Sequence, residues 1–248
     1  MGRYFIKLAY SGSDYHGWQI QPNAITIQEE INNSLSLILR ETINVVGAGR
    51  TDTGVHASDF YAHFDIEKDL GGEKELDRLV FRLNRFLPKA IAVYSIFKVG
   101  DGFHARFDAI SRTYKYYVAE RKNPFIQETS YQLLKSIDID RMNSAAKILF
   151  EYDDFTSFSK SHTQTNTNLC TIMHAEWNRE GDGLVFTIKA NRFLRNMVRA
   201  IVGTLLEIGL GKLDVDDMRR IILSKNRSEA GYSVPAKGLF LTDIEYDF

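Results

Sequence analysis

The chain has 248 residues, one cysteine and a formal net charge of −1, with 44% hydrophobic and 25% charged residues. These values describe a globular chain of one large domain or two small ones. They exclude an intrachain disulfide framework, a cysteine-rich zinc site and a uniformly basic nucleic-acid binder. No run of about 18 apolar residues predicts a membrane span, and the N-terminus lacks the apolar stretch of a secretory leader. A cytoplasmic protein with no membrane partner is expected.

Residues 3–10 alternate as a strand. A helix is expected from about Thr26, where Thr26 and Glu29 have capping-box spacing and Ile27, Ile31, Leu35 and Ile38 form an apolar stripe. Residues 43–46 read as a short strand, and Phe60, Ala62, Phe64 and Ile66 alternate in the next. Leu76, Leu79, Val80 and Leu83 mark a second helix, and residues 91–99 read as a strand again. The order β-α-β-β-α-β is that of a split βαβ arrangement. The second half repeats it loosely. Residues 106–119 read as a long strand, and residues 138–150 as a helix with Met142, Ala145, Ala146 and Leu149 inward. Strands at 171–178 and 184–191 are joined at Glu180-Gly181-Asp182-Gly183. A helix from Phe193 to about Ile208, a short helix near 214–223 and a strand at 239–246 complete the order. The expected fold class is α+β: two related split-βαβ (RRM/ferredoxin-like) halves, residues 1–105 and 106–248. Their mainly antiparallel sheets are expected side by side around a central cleft, a common place for a site.

Charge is distributed unevenly. Asp52 is the only acid in residues 42–58, and residues 183–206 contain none while holding Lys189, Arg192, Arg195 and Arg199. Positive potential for an RNA partner would therefore be local. At 100° per residue, Arg192, Arg195 and Arg199 fall on one helical stripe, with Leu194, Met197, Val198, Ile201, Leu205 and Ile208 on the broad opposite side. Arg199 lies deepest in the apolar run and is the one expected to be partly buried and to need a partner. Residues 161–168, polar and acid-free around His162, read as a long loop, a kind of segment that is often functional. The six histidines show no metal-ligand spacing, so no metal is expected.

The densest polar segment is residues 47–57, GAGRTDTGVHA, set between two strands. Three glycines in eight residues permit unusual backbone angles and close ligand approach. Arg50 and His56 flank Asp52, and neighbouring positive charge favours its ionised form. The segment lacks the Gly-Lys-Ser/Thr ending of a P-loop, and the strand after it rules out a dinucleotide fingerprint. On spacing alone, a catalytic loop and a hairpin turn with a capping aspartate stand about even.

This segment resembles the catalytic motif of the tRNA pseudouridine synthase A family, which usually reads Gly-Arg-Thr-Asp-Ala-Gly-Val-His; here Thr53 replaces the alanine. The resemblance covers nearly the whole chain. It includes Tyr15-His16-Gly17-Trp18-Gln19, Thr26-Ile27-Gln28-Glu29, Asn84 with Leu87-Pro88, Phe103-His104-Ala105-Arg106-Phe107 and Arg112-Thr113-Tyr114-Lys115-Tyr116. Lys189-Ala190-Asn191, Met197-Val198-Arg199, Ile201-Val202-Gly203 and Pro235-Ala236-Lys237-Gly238-Leu239 complete it. The resemblance implies a tRNA-uridine isomerase acting at positions 38, 39 and 40 of the anticodon stem-loop, as a homodimer. By position it implies Asp52, Tyr114 and Arg199 as catalytic residues. Asp52 would be the essential carboxylate, Tyr114 would stack near the uracil as a candidate base for the C5 proton, and Arg199 would pair with Asp52. It places Arg50, Thr51, His56 and Leu239 at the substrate. Candidate RNA contacts are Arg106, Arg112, Lys115, Arg192 and Arg195, and with a tRNA substrate the loop at 161–168 is expected to contact it as well.

The reaction breaks the N1–C1′ bond, rejoins the uracil through C5 and releases the C5 proton. It needs no external atom and no redox step, so no cofactor is expected. Asp52 could attack the base, attack the sugar or take a sugar proton. Two other functions fit parts of the sequence. One is a non-catalytic RNA-binding module, which the split βαβ order allows. The other is a glycosidase-like hydrolase, although that chemistry usually wants two flanking carboxylates.

Overall fold

The computed structural model describes residues 2–160 and 167–248. The fold is mixed α/β, with nine strands and five α-helices among the described residues. The chain divides into two compact units, Met1–Ile110 with Leu241–Phe248, and Ser111–Phe240.

The first unit contains β1 (Gly2–Tyr10), α1 (Ile27–Leu39), β2 (Val46–Gly47), β3 (His56–Ile66), α2 (Glu73–Phe86) and β4 (Ile91–Val99). β1 is central and antiparallel to both β3 and β4, and β2 pairs antiparallel with β3. Its register sets Tyr4 opposite Phe64, Ile6 opposite Ala62 and Leu8 opposite Phe60, and all six are buried. Period-two alternation gives the other face Arg3, Phe5 and Lys7. There Arg3 pairs with Asp65 at 2.7 Å and Lys7 with Asp59 at 2.9 Å. Phe5 on that face lies within an aromatic cluster of Phe97, Phe103, Tyr246 and Phe248.

α1 begins where expected, because the Thr26 hydroxyl accepts the Glu29 N–H. The expected strand at 43–46 is reduced to Val46–Gly47. Side chains of α1 take the backbone groups that a strand partner would need. Ser36 Oγ accepts from Ile43 N–H, Asn32 Oδ1 accepts from Val45 N–H, and Gln28 Nε2 donates to the Val45 carbonyl. Helix side chains thus satisfy a buried extended segment.

The second unit contains β5 (Ser111–Ala119), β6 (Tyr131–Gln132), α3 (Ile139–Ile148), β7 (Ile172–Glu180), β8 (Gly183–Ala190), α4 (Met197–Gly209) and α5 (Asp217–Ser224). β8 is antiparallel to β5 and to β7, while β6 pairs parallel with β5. α4 is the core helix of the unit, with eleven of its thirteen residues buried. The remaining two are Arg199 and Glu207, both half-buried. β9 (Leu239–Glu245) starts in the second unit and ends in the first.

Three sequence expectations are corrected here. Residues 106–110 are not strand. His104 Nδ1 accepts the N–H groups of Arg106 and Phe107 while Asp108 accepts that of His104, folding the segment into a turn. The helix expected from Phe193 starts at Met197, because Asn196 adopts a left-handed conformation with φ 67°. Arg192 and Arg195 therefore lie outside α4, and the three-arginine stripe does not exist. β6, only two residues long, carries no periodic signal and was not expected.

Candidate active site

Asp52 lies on the connection from β2 to β3, in the first unit. β2 ends as Gly47, and the Ala48 N–H still donates to the Tyr61 carbonyl at 2.8 Å. The Val55 N–H donates to the Asp52 carbonyl at 3.1 Å, and Gly54 has φ 78°. The chain thus turns tightly around Asp52, and a glycine supplies the left-handed angle.

A second segment holds this loop from outside. The Trp18 N–H donates to the Thr51 carbonyl at 3.2 Å, and the Gly54 N–H donates to the Tyr15 carbonyl at 3.4 Å. The approach is close enough that a Cβ on Gly17 would lie 2.5 Å from the Thr51 oxygen. A Cβ on Gly47 would lie 2.5 Å from the Trp18 indole nitrogen. Trp18 stacks on Phe60 of β3 with ring centroids 4.2 Å apart. The segment itself is tied to α1, because Ile27 and Gln28 N–H groups donate to Gly17 and Trp18 carbonyls.

Thr51 and His56 are both buried. The Thr51 hydroxyl lies 2.8 Å from the Tyr10 hydroxyl. His56 Nδ1 accepts the Gly12 N–H at 3.2 Å, which keeps that nitrogen unprotonated. Their contacts brace the loop. Asp52 between them is half-buried, and Arg50 is exposed.

Tyr114, Arg199 and Leu239 lie in the second unit. Tyr114 is half-buried on β5, its ring edge-on to Phe193 with centroids 5.1 Å apart. Arg199 is half-buried, as its place in the apolar run predicts, and its Nε donates to the Val234 carbonyl at 2.7 Å. Leu239 is buried at the start of β9. Tyr116, on the same face of β5 as Tyr114, is fully buried and donates to the Pro235 carbonyl at 2.9 Å. Burial pushes its phenol far above the ordinary range, and the Arg199 charge opposes that rise.

The candidate RNA contacts are spread across both units. Arg106, in the first, is exposed with its guanidinium 5.7 Å from the Phe107 ring centroid. In the second, Arg112 donates to the Asn191 carbonyl at 2.9 Å and Lys115 lies 3.6 Å from Glu180. Arg192 is half-buried and Arg195 exposed. Of the loop expected to contact tRNA, residues 161–166 lie outside the described residues. Asn168 is described, and it donates to the Thr156 hydroxyl at 2.9 Å. Among the described residues no group of three or more His, Cys, Asp or Glu is placed to hold a metal ion. No described helix is long and apolar enough to cross a membrane.

A family described as tRNA pseudouridine synthase matches residues 145–247. The similarity to curated proteins extends over the whole chain. The tRNA pseudouridine synthase A of Parabacteroides distasonis is 56% identical over 246 residues, covering 99% of this chain and 96% of that one. The Bacteroides fragilis protein of the same name is 56% identical over 245 residues, covering 98% and 96%. That of Bacillus subtilis is 37% identical over 244 residues, covering 97% of each. The chain belongs to the tRNA pseudouridine synthase A family.

Residues 145–247 contain Arg199 and Leu239 but not the Asp52 loop, which the full-length relatives do cover. For this family member, the bracing partners Tyr10 and Tyr116 were missed by reading the sequence. Their signal was present but ambiguous, since each is an aromatic residue in a strand, where packing is the default.

Proposed function

We propose that this chain isomerises uridine to pseudouridine in tRNA, with Asp52 as the essential carboxylate. The observation that carries the reading is the Asp52 loop itself. A half-buried carboxylate sits on a turn whose backbone is bonded to β3 and to the Tyr15–Trp18 segment. Such fixation keeps a reacting group in place without reorganisation during the reaction. Asp52 starts the exchange by attacking the base, attacking the sugar or removing a sugar proton. The uracil then rejoins C1′ through C5, and Tyr114 is the candidate acceptor of the C5 proton. The Arg199 charge supports the ionised carboxylate, and Arg50 and Leu239 hold the flipped nucleotide.

The proposal extends to uridines 38, 39 and 40 of the anticodon stem-loop and to a homodimer in the cytoplasm. Phosphate contacts are assigned to Arg106, Arg112, Lys115, Arg192 and Arg195, a charge-based mode of binding that weakens with salt. It also takes the two units as related split-βαβ halves. The orders β1-α1-β2-β3-α2-β4 and β5-α3-β7-β8-α4, the latter followed by the start of β9, support that reading.

Tritium release from tRNA labelled at uridine C5 tests the central claim. The wild type is expected to release tritium, and Asp52→Asn to release it at least about 10³-fold more slowly with tRNA affinity nearly unchanged. Full activity in Asp52→Asn removes Asp52 from the mechanism. Free uracil as product would mark a hydrolase, and RNA binding without release would mark a binding module.

A further inference from the structure

Residues 231–238 lie along α4 and β5 with no regular structure beyond one 3-10 turn, Ala236–Gly238, yet nearly every step is pinned. The Gly231 N–H donates to the Thr204 hydroxyl at 2.9 Å. A Cβ on Gly203 would lie 1.8 Å from the Tyr232 carbonyl oxygen, so helix and segment meet there backbone to backbone. Ser233 Oγ accepts from Asn196 Nδ2 at 2.6 Å and from Arg227 Nη2 at 2.8 Å. Val234 is bound twice to Arg199: its N–H donates to the Arg199 carbonyl, and its carbonyl accepts from Arg199 Nε.

At the next residue the mode of attachment changes. Pro235 has no N–H, so its carbonyl is its one backbone handle. The Tyr116 hydroxyl donates to that carbonyl at 2.9 Å. The same ring limits Gly238, where a Cβ would lie 2.8 Å from Tyr116 Cζ. Tyr116 thus contacts both ends of the short run that joins the residue bonded to Arg199 to Leu239.

We propose that Tyr116 is a positioning residue, whose hydroxyl fixes the Pro235 carbonyl and thereby sets where Arg199 and Leu239 stand toward the uridine. The inference rests on the uridine-isomerase reading above. Packing alone does not explain the hydroxyl, because a buried phenylalanine would fill the same volume. The phenol is fully buried and held protonated by that burial, so it serves as a donor and not as a base.

The test compares wild type, Tyr116→Phe, Gly238→Ala and a structural control, Asn143→Ala. Asn143 bonds both backbone groups of Trp177 in β7, away from the 231–238 segment. Three quantities are measured: the single-turnover rate on tRNA at saturating enzyme, the Kd for tRNA, and Tm. Tyr116→Phe is expected to slow the single-turnover step roughly tenfold or more, with Kd within about twofold. Gly238→Ala, which keeps the hydroxyl but pushes the segment, is expected to slow the same step. Asn143→Ala should lower Tm and leave the rate alone. A Tyr116→Phe protein with a lowered Tm and a wild-type rate overturns the positioning role. If the wild type itself makes no pseudouridine, the uridine reading fails and this inference falls with it.

Discussion

The Asp52 loop and the segment at 231–238 that leads into Leu239 are both irregular, but they are fixed by a different balance of means. The loop is held by backbone partners and by missing atoms. The Thr51 carbonyl accepts from Trp18 of the facing segment, the Tyr15 carbonyl of that segment accepts from Gly54 of the loop, and Gly17 and Gly47 stand where a Cβ would collide. The 231–238 segment is held largely by side-chain donors, those of Arg199, Tyr116, Asn196 and Arg227. Both regions contain close approaches that an added atom would disturb, and the second is in addition vulnerable to the loss of its side-chain donors. Backbone-to-backbone contact leaves little slack, which suits a segment carrying the carboxylate proposed to start the reaction.

The sharpest way to break this comparison is Gly17→Ala. The new Cβ would sit 2.5 Å from the Thr51 oxygen and 3.2 Å from the Asp52 carbonyl carbon, at a φ of +89°. A loss of about 2–4 kcal/mol is expected by urea unfolding, with turnover falling further than in Tyr116→Phe. Gly49→Ala is the matching control. A Cβ there meets nothing within 4 Å, so near-wild-type stability and turnover are expected. Equal damage from the two would show that loop flexibility, and not close approach, is what the glycines supply.

A smaller effect is expected from Tyr10→Phe, which removes the partner of the Thr51 hydroxyl. The cost should be about 1 kcal/mol in stability, with a modest drop in kcat and an unchanged KM. A change in KM alone would move Tyr10 from bracing to binding.

The smallest effect at neutral pH comes from His63. Burial lowers its pKa from 6.5 to about 4, helped by the nearby Arg3 charge, and its Nδ1 accepts the Ala105 N–H. Above pH 6.5 both folded and unfolded chains hold it neutral. As pH falls from 6.5 toward 4, the unfolded chain takes up a proton that the folded one refuses, so stability declines, by up to roughly 1.4 kcal/mol per pH unit. His63→Gln should flatten that slope in a Tm-versus-pH series. An unchanged slope would assign it to other groups.

Much of the fold was legible because periodicity and capping acted together. Thr26 caps α1, Asp138 caps α3, and the alternation of Phe60, Ala62, Phe64 and Ile66 marks buried positions in β3. Two of the failures share one cause. At 43–45 and at 106–110, polar side chains took over backbone groups that hydrophobic pattern assigned to strand, and at Asn196 a left-handed backbone delayed the helix. The bond from Asn32 to Val45 joins residues too far apart for a local window, whereas those around His104 are local and run against the strand-like pattern. The Asp52 motif was visible as a string of letters. Its rigidity was not, because the partners that hold it belong to residues 10–18 and to β3.

The path of β9 has a consequence for how the chain is made. Leu239 and Phe240 belong to the second unit, while residues 241–248 complete the first, where Tyr246 packs on Phe5 and its hydroxyl donates to the Ala105 carbonyl. On the ribosome, the first 110 residues emerge long before the strand that finishes their unit. That unit must wait, its aromatic face incomplete, while the whole of the second is synthesised. The portion begun first is closed last, so a nascent chain carries a finished Asp52-bearing unit only once residues 241–248 have followed the whole of the second unit.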